Sequence, residues 1–227
     1  MESRRIVISP HLDDAVLSCW HVLEAGGATV VTVFTGAPDA GTTGWWDRLT
    51  GSSDSPARVR ERRREDERAM SLAGVGYAHL DLQDEQYRRN GASPPVTAAL
   101  AEHLDGADEV YAPLGFFFSG DHELVREAVL ALRANTRLYA DLPHAGFWGL
   151  PSWVSGEEGE LDIDAAWRQR ILETGLDPSA LTASVHALDD DAYERKLAAV
   201  RCYETQFKAL AREAPLEQLR WEVTWTR

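Results

Sequence analysis

The chain has 227 residues, with 37 acidic against 23 basic side chains and a formal charge of −14 at pH 7. That balance excludes nucleic-acid binding, which needs a basic footprint, and argues against anionic membrane surfaces; no run is apolar and long enough for membrane insertion. Length and composition predict one α/β domain over residues 1–227, and two distant cysteines without a signal-peptide core predict a cytoplasmic setting.

Ile6-Val7-Ile8 reads as a buried strand that stops at Ser9-Pro10. His11, Asp13 and Asp14 follow at once, and residues 15–24 read as a helix stopped by Gly26-Gly27. The three ionisable groups therefore fall at the carboxyl end of a strand, the edge at which open α/β sheets bind ligands. His11 and Asp14, three apart, can face one point on a first helical turn. An imidazole and a carboxylate there suit Zn²⁺. Asp13 points elsewhere on the turn and is free to accept a proton. The competing reading makes Asp13 or Asp14 a helix cap and His11 a loop residue.

Residues 28–34 are β-branched and apolar, a second buried strand. Strand, helix, strand in this order predicts a Rossmann-like, mostly parallel sheet with helices on both faces. Neither G-x-G-x-x-G nor a P-loop pattern occurs, so a dinucleotide or nucleotide reading has no support. Residues 35–55 read as a long loop carrying Trp45-Trp46-Asp47, whose indoles either stack on a sugar or anchor the loop. A charged helix is expected over 55–72, stopping at Gly74, then a strand over 78–82, a helix over 94–104 and a strand over 109–112. A helix from about Asp121 places His122 at a second strand-to-helix corner. In a parallel sheet such corners share one edge, which connects His122 with the first motif. A strand over 137–141 leads to Leu142-Pro143-His144. Residues 145–164 read as a second loop over the site, holding Phe147, Trp148 and Trp153. A helix over 165–173, a strand over 180–188, one long helix over 189–213 and a closing strand over 219–225 complete the expected order.

Residues 9–18, Ser-Pro-His-Leu-Asp-Asp-Ala-Val-Leu-Ser, resemble the P-H-x-D-D signature of the PIG-L/LmbE-like zinc-dependent N-deacetylases. The resemblance implies His11 and Asp14 as zinc ligands and Asp13 as general base. Members carry H-x-D-H or a close variant at the later corner, where this chain has Ser119-Gly120-Asp121-His122. That implies His122 as third ligand and Asp121 as an acid orienting catalytic groups. Ser119 stands where many members have a histidine that stabilises the oxyanion. His144, in a stretch resembling acidic-x-Pro-aromatic, is the candidate for the missing imidazole; a solvent-facing loop histidine is the alternative. Trp46-Asp47 before Arg62-Arg63-Arg64-Glu65-Asp66, the Asp84…Tyr87-Arg88 stretch, and Lys196…Tyr203-Glu204-Thr205-Gln206 resemble further patterns of one branch. They imply Trp46, Asp47, Arg62 and Asp84 as substrate-binding residues, with ion-paired framework the alternative for Arg62 and Asp84. The implied activity is zinc-dependent removal of an N-acetyl group from a sugar-containing metabolite or glycoconjugate, with Fe²⁺ or Co²⁺ possible in the same N/O site. An amidase acting on a non-sugar or thiol conjugate, or a weakly active glycan-binding homologue, are the rival readings.

Overall fold

Short apolar stretches build a seven-stranded sheet in the order β3-β2-β1-β4-β5-β7-β6. The computed structural model describes residues 3–88, 93–115, 120–147, 149–157, 161–213 and 215–227, backbone only at 210 and 213. Ser119 and Trp148 lie outside the described residues. The strands are β1 (Arg5–Ser9), β2 (Ala28–Thr32), β3 (Gly76–His79), β4 (Glu109–Pro113), β5 (Arg137–Tyr139), β6 (Thr182–Ala187) and β7 (Trp221–Thr226). The first five pair in parallel. β7 runs antiparallel to both β5 and β6. β1 is the middle one of the five parallel strands, and Ile6, Val7 and Ile8 are wholly buried between β2 and β4.

The helices are α1 (Asp14–Ser18), α2 (Trp20–Leu23), α3 (Trp45–Leu49), α4 (Ser55–Ala73), α5 (Val96–Leu104), α6 (Gly120–Leu132), α7 (Ser152–Ser155), α8 (Ile163–Glu173), α9 (Asp190–Val200) and α10 (Glu204–Glu213). From β1 the chain lays down β2 and β3 on one side, then β4 and β5 on the other. Right-handed crossovers put the two sets of connecting helices on opposite faces. The strand order reverses between β1 and β4, which opens a crevice at their carboxyl ends. The α/β, mostly parallel architecture is the one expected from the sequence. No helix among the described residues is long and apolar enough to cross a membrane.

Three expectations are corrected, the first two by long-range contacts. The helix expected over 15–24 breaks at Cys19 into α1 and α2. There the Glu222 carboxylate of β7 accepts the N–H groups of Trp20 (2.7 Å) and His21 (2.8 Å), starting a new helix. The helix expected over 189–213 breaks into α9 and α10. Glu65 of α4 accepts the Thr205 N–H (2.8 Å) and hydroxyl (2.7 Å) at the start of α10. The segment read as a loop over 35–55 holds α3, which contains the Trp-Trp-Asp triplet.

Candidate active site

The corner after β1 is tied tightly. The Ser9 hydroxyl donates to the His11 carbonyl (2.6 Å) and accepts the Ala15 N–H (3.1 Å). The Tyr139 hydroxyl donates to the Ile8 carbonyl (2.9 Å), fixing the end of β5 against β1. Asp13 is the only non-glycine residue with positive φ among the described residues (φ 155°, ψ −30°). Backbone strain of this kind persists only where its surroundings over-determine it, and it clusters at functional sites.

Three donor atoms converge across the crevice. His11 Nδ1 lies 3.3 Å from His122 Nε2 and 3.5 Å from Asp14 Oδ2, and His122 Nε2 lies 3.4 Å from Asp14 Oδ2. Donors at about 2.0–2.2 Å in a tetrahedron around zinc lie about 3.3–3.6 Å apart. The triangle therefore fits one small divalent ion without rearrangement. Asp14 and His122 are buried and His11 is partly buried.

Each histidine is fixed by a carboxylate on its far nitrogen. His11 Nε2 faces Asp121 Oδ2 at 3.2 Å, and His122 Nδ1 faces Asp141 Oδ1 at 2.6 Å. These pairings assign the protonated nitrogens and leave His11 Nδ1 and His122 Nε2 for a metal. Asp121 is itself held by the Arg88 guanidinium (2.6 Å) and the Glu85 N–H (2.9 Å). Asp141 accepts the Gly115 N–H (2.7 Å). Gly115 has φ +70°, and a Cβ there would meet the backbone of His122 and Glu123 at 3.1 Å. Glycine lets β4 turn into α6 at the distance this hydrogen bond needs. His11, Asp84 and Asp121 form a second donor group, but Arg88 already neutralises Asp121 there.

Each of these charges acts on its neighbours. Burial opposes the charged His11 imidazole, yet Asp121, Asp14 and Asp84 outweigh it and hold the group well above 6.5. Burial pushes the Asp14 carboxyl up, and His122 and His11 outweigh it, holding it well below the usual range. Asp13 goes the other way: burial first, then the Asp14 charge, push it well above its ordinary value, against the pull of His11, His144 and Arg62. A metal must displace the His11 proton, so affinity is expected to fall roughly tenfold per pH unit below the folded His11 pKa. Equilibrium dialysis of Zn²⁺ across that range checks this; a flat profile contradicts it.

The other expected residues divide. His144 comes to the site, its ring 6.3 Å from that of His122 and within electrostatic reach of Asp13. Asp84 lies at the rim, 3.9 Å from His11, with its carboxylate accepting from the Gln86 backbone N–H (2.9 Å) and side-chain amide (3.0 Å). Trp46 donates its indole N–H to Gln206 (3.2 Å), and Gln206 donates to the Leu12 carbonyl (3.0 Å). Asp47 and Arg62 do not open onto the crevice as a free pair. Asp47 is fully buried, 3.0 Å from Arg62 and bonded to the Tyr87 hydroxyl (2.6 Å). They brace α3 against α4, and Arg62 acts on Asp13 only through its charge.

Sequence reasoning assigned no role to Asp141, Arg88 or Gln206. Asp141 had one usable signal, its place after β5 at the same sheet edge. Asp141→Ala is expected to weaken metal binding about 10–100-fold, because an unsupported ligand loses orientation and basicity. Competition with a chelating dye measures it, and unchanged affinity sinks the assignment.

Residues 6–133 match the PIG-L family, described as GlcNAc-PI de-N-acetylase. A 2′-N-acetylparomamine deacetylase from Streptomyces fradiae is 33% identical over 169 residues, 63% of this chain and 58% of that protein. The chain thus spans little more than half the length of this relative. Among solved structures, the A40926 pseudoaglycone deacetylase superposes with TM-score 0.72 at 26% identity, covering 100% of this chain and 97% of the other. A teicoplanin deacetylase in a zinc-inhibited form superposes with TM-score 0.74 at 24% identity, covering 98% and 97%. With the family match running from β1 through the helix that carries His122, and the fold shared end to end, the chain belongs to the PIG-L family.

Proposed function

We propose that this chain is a metal-dependent N-deacetylase that hydrolyses the acetamide of an amino sugar within a metabolite or glycoconjugate. The observation that carries this reading is the donor triangle of His11, Asp14 and His122 beside a buried carboxyl, Asp13, that has no part in it. The relatives' deacetylase activities support the same reaction class. Two imidazoles and one carboxylate suit zinc, and Fe²⁺ or Co²⁺ fit the same donors. When bound, the ion supplies Lewis-acid polarisation of the acyl carbonyl and acidifies water.

The chain's own groups do the rest. Asp13 is buried, and burial together with the neighbouring Asp14 charge raises its proton affinity. It accepts the proton of the attacking water and returns it to the departing amine. His144, its ring 6.3 Å from that of His122 and its charge acting on Asp13, is the group assigned to donate to the developing oxyanion. Asp121 and Asp141 position the two histidines. The Trp46–Gln206–Leu12 chain of hydrogen bonds holds the wall beside the catalytic turn.

The test is acetate release from N-acetylglucosamine and N-acetylated aminoglycosides by the metal-loaded protein. Wild type is expected to release acetate, and His122→Ala to lose both metal and release. A metal-loaded wild type inert on every N-acetylated amino sugar overturns the reading. Replacing His144 by Ala is expected to lower turnover about 10²–10³-fold with unchanged metal content, the usual cost of one oxyanion donor; full turnover removes His144 from the mechanism.

A further inference from the structure

An open groove of about 700 Å³ runs along α10, α3 and α4. Its apolar wall includes Trp46, Leu49 and Phe147, the last two more than half exposed. One wall is tied to the turn that bears the site: Trp46 is linked through Gln206 to the Leu12 carbonyl, between His11 and Asp13. Phe147 follows the turn His144–Gly146.

The groove's charges are not balanced. Its acids are already answered, Glu61 by Arg58 (3.1 Å) and Glu204 by Arg68 (3.4 Å). Lys208 and Arg212, one turn apart on α10, also line it and are exposed. Among the described residues neither has an acidic partner. The Arg58 Nε–H, shut off from solvent, has no acceptor there either. In a chain of net charge −14, two unanswered cations facing an aromatic wall form a local exception to the surface field.

We propose that this groove holds the part of the substrate beyond the acetamide, and that it selects a ring-bearing apolar body carrying an anionic group, carboxylate or phosphate. Trp46, Leu49 and Phe147 take the apolar face; Lys208 and Arg212 take the anion. This rests on the deacetylase reading for the position of the acetamide, but not for the groove's own preference.

Calorimetric titration of the full-length protein with three naphthyl glucosides tests it. One carries a carboxylate, one a phosphonate and one an aminomethyl group; none has an acetamide, so none is turned over. The two anionic ligands are expected to bind about tenfold tighter than the cationic one, as two exposed ion pairs allow. The better of the two identifies the anion. Lys208→Glu/Arg212→Glu is expected to abolish or reverse that order with an unchanged Tm, since both residues are exposed. Equal binding of anion and cation by wild type, or a preference that survives the double substitution, overturns the proposal. Acetate release from N-acetylglucosamine and the N-acetylated aminoglycosides is scored separately: inertness on all of them alongside an intact anion preference removes the deacetylase reading and leaves the groove.

Discussion

Asp13→Ala is expected to lower acetate release roughly 10²–10⁴-fold while the metal stays bound, the range for loss of a positioned acid–base group. Asp13 is 6% exposed, and none of its carboxylate oxygens belongs to the donor triangle. The triangle is closed by Asp14 Oδ2, which the His11 backbone N–H also holds at 2.8 Å. Removing the Asp13 carboxylate therefore deletes the proton carrier without deleting a ligand. Burial and Asp14 raise the proton affinity of Asp13, so its removal also eliminates a repulsive charge near Asp14. Metal content is expected to stay near one ion per chain. Loss of metal together with activity would make Asp13 a ligand or a structural prop rather than a base.

Lys196→Met is expected to cost about 3–5 kcal/mol of stability, because it strands a buried carboxylate. Lys196 and Glu222 are both fully buried, 2.7 Å apart. Burial pushes the Glu222 carboxyl up, but Lys196 and His21 outweigh it and bring it down to about 2. Burial holds the Lys196 ammonium below its ordinary value, against the pull of Glu222. The sign follows from the lowered carboxyl. Its stabilisation is fully present above about pH 4.5 and is lost as pH falls toward about 2. In the variant the stranded carboxyl moves up instead, so the deficit against wild type is expected to be larger at pH 7.5 than at pH 5. The consequence reaches the site: Glu222 accepts the Trp20 and His21 N–H groups that begin α2, directly after the turn bearing Asp13 and Asp14. Thermal melts at the two pH values measure this, and adding Glu222→Gln is expected to recover part of the loss. A deficit under about 1 kcal/mol would show that the pair is dispensable.

The catalytic turn was legible because its signals are local. An apolar strand, a proline stop and three ionisable groups occupy one short stretch, and the rule that parallel strands share a carboxyl edge links it to His122, more than a hundred residues away. Strands β1 and β2 were legible for the same reason, being runs rich in β-branched residues. What stayed hidden was long-range. The breaks at Cys19 and near Tyr203 are imposed by Glu222 and Glu65, whose partners lie far off in sequence. Asp141 is a lone acid after a strand and shows its role only when His122 is folded against it. Asp47 and Arg62 carry the residue types of a sugar site, and only the fold shows them turned toward each other.

One divalent ion, held by His11, Asp14 and His122, is expected to be required for N-deacetylation. The direct measurement strips the protein with a chelator, titrates Zn²⁺ back and follows acetate release from N-acetylated amino sugars. Stripped protein is expected to release none and to recover fully at one equivalent per chain, with His122→Ala failing to recover. Release that persists after stripping, or that His122→Ala recovers like wild type, would contradict it.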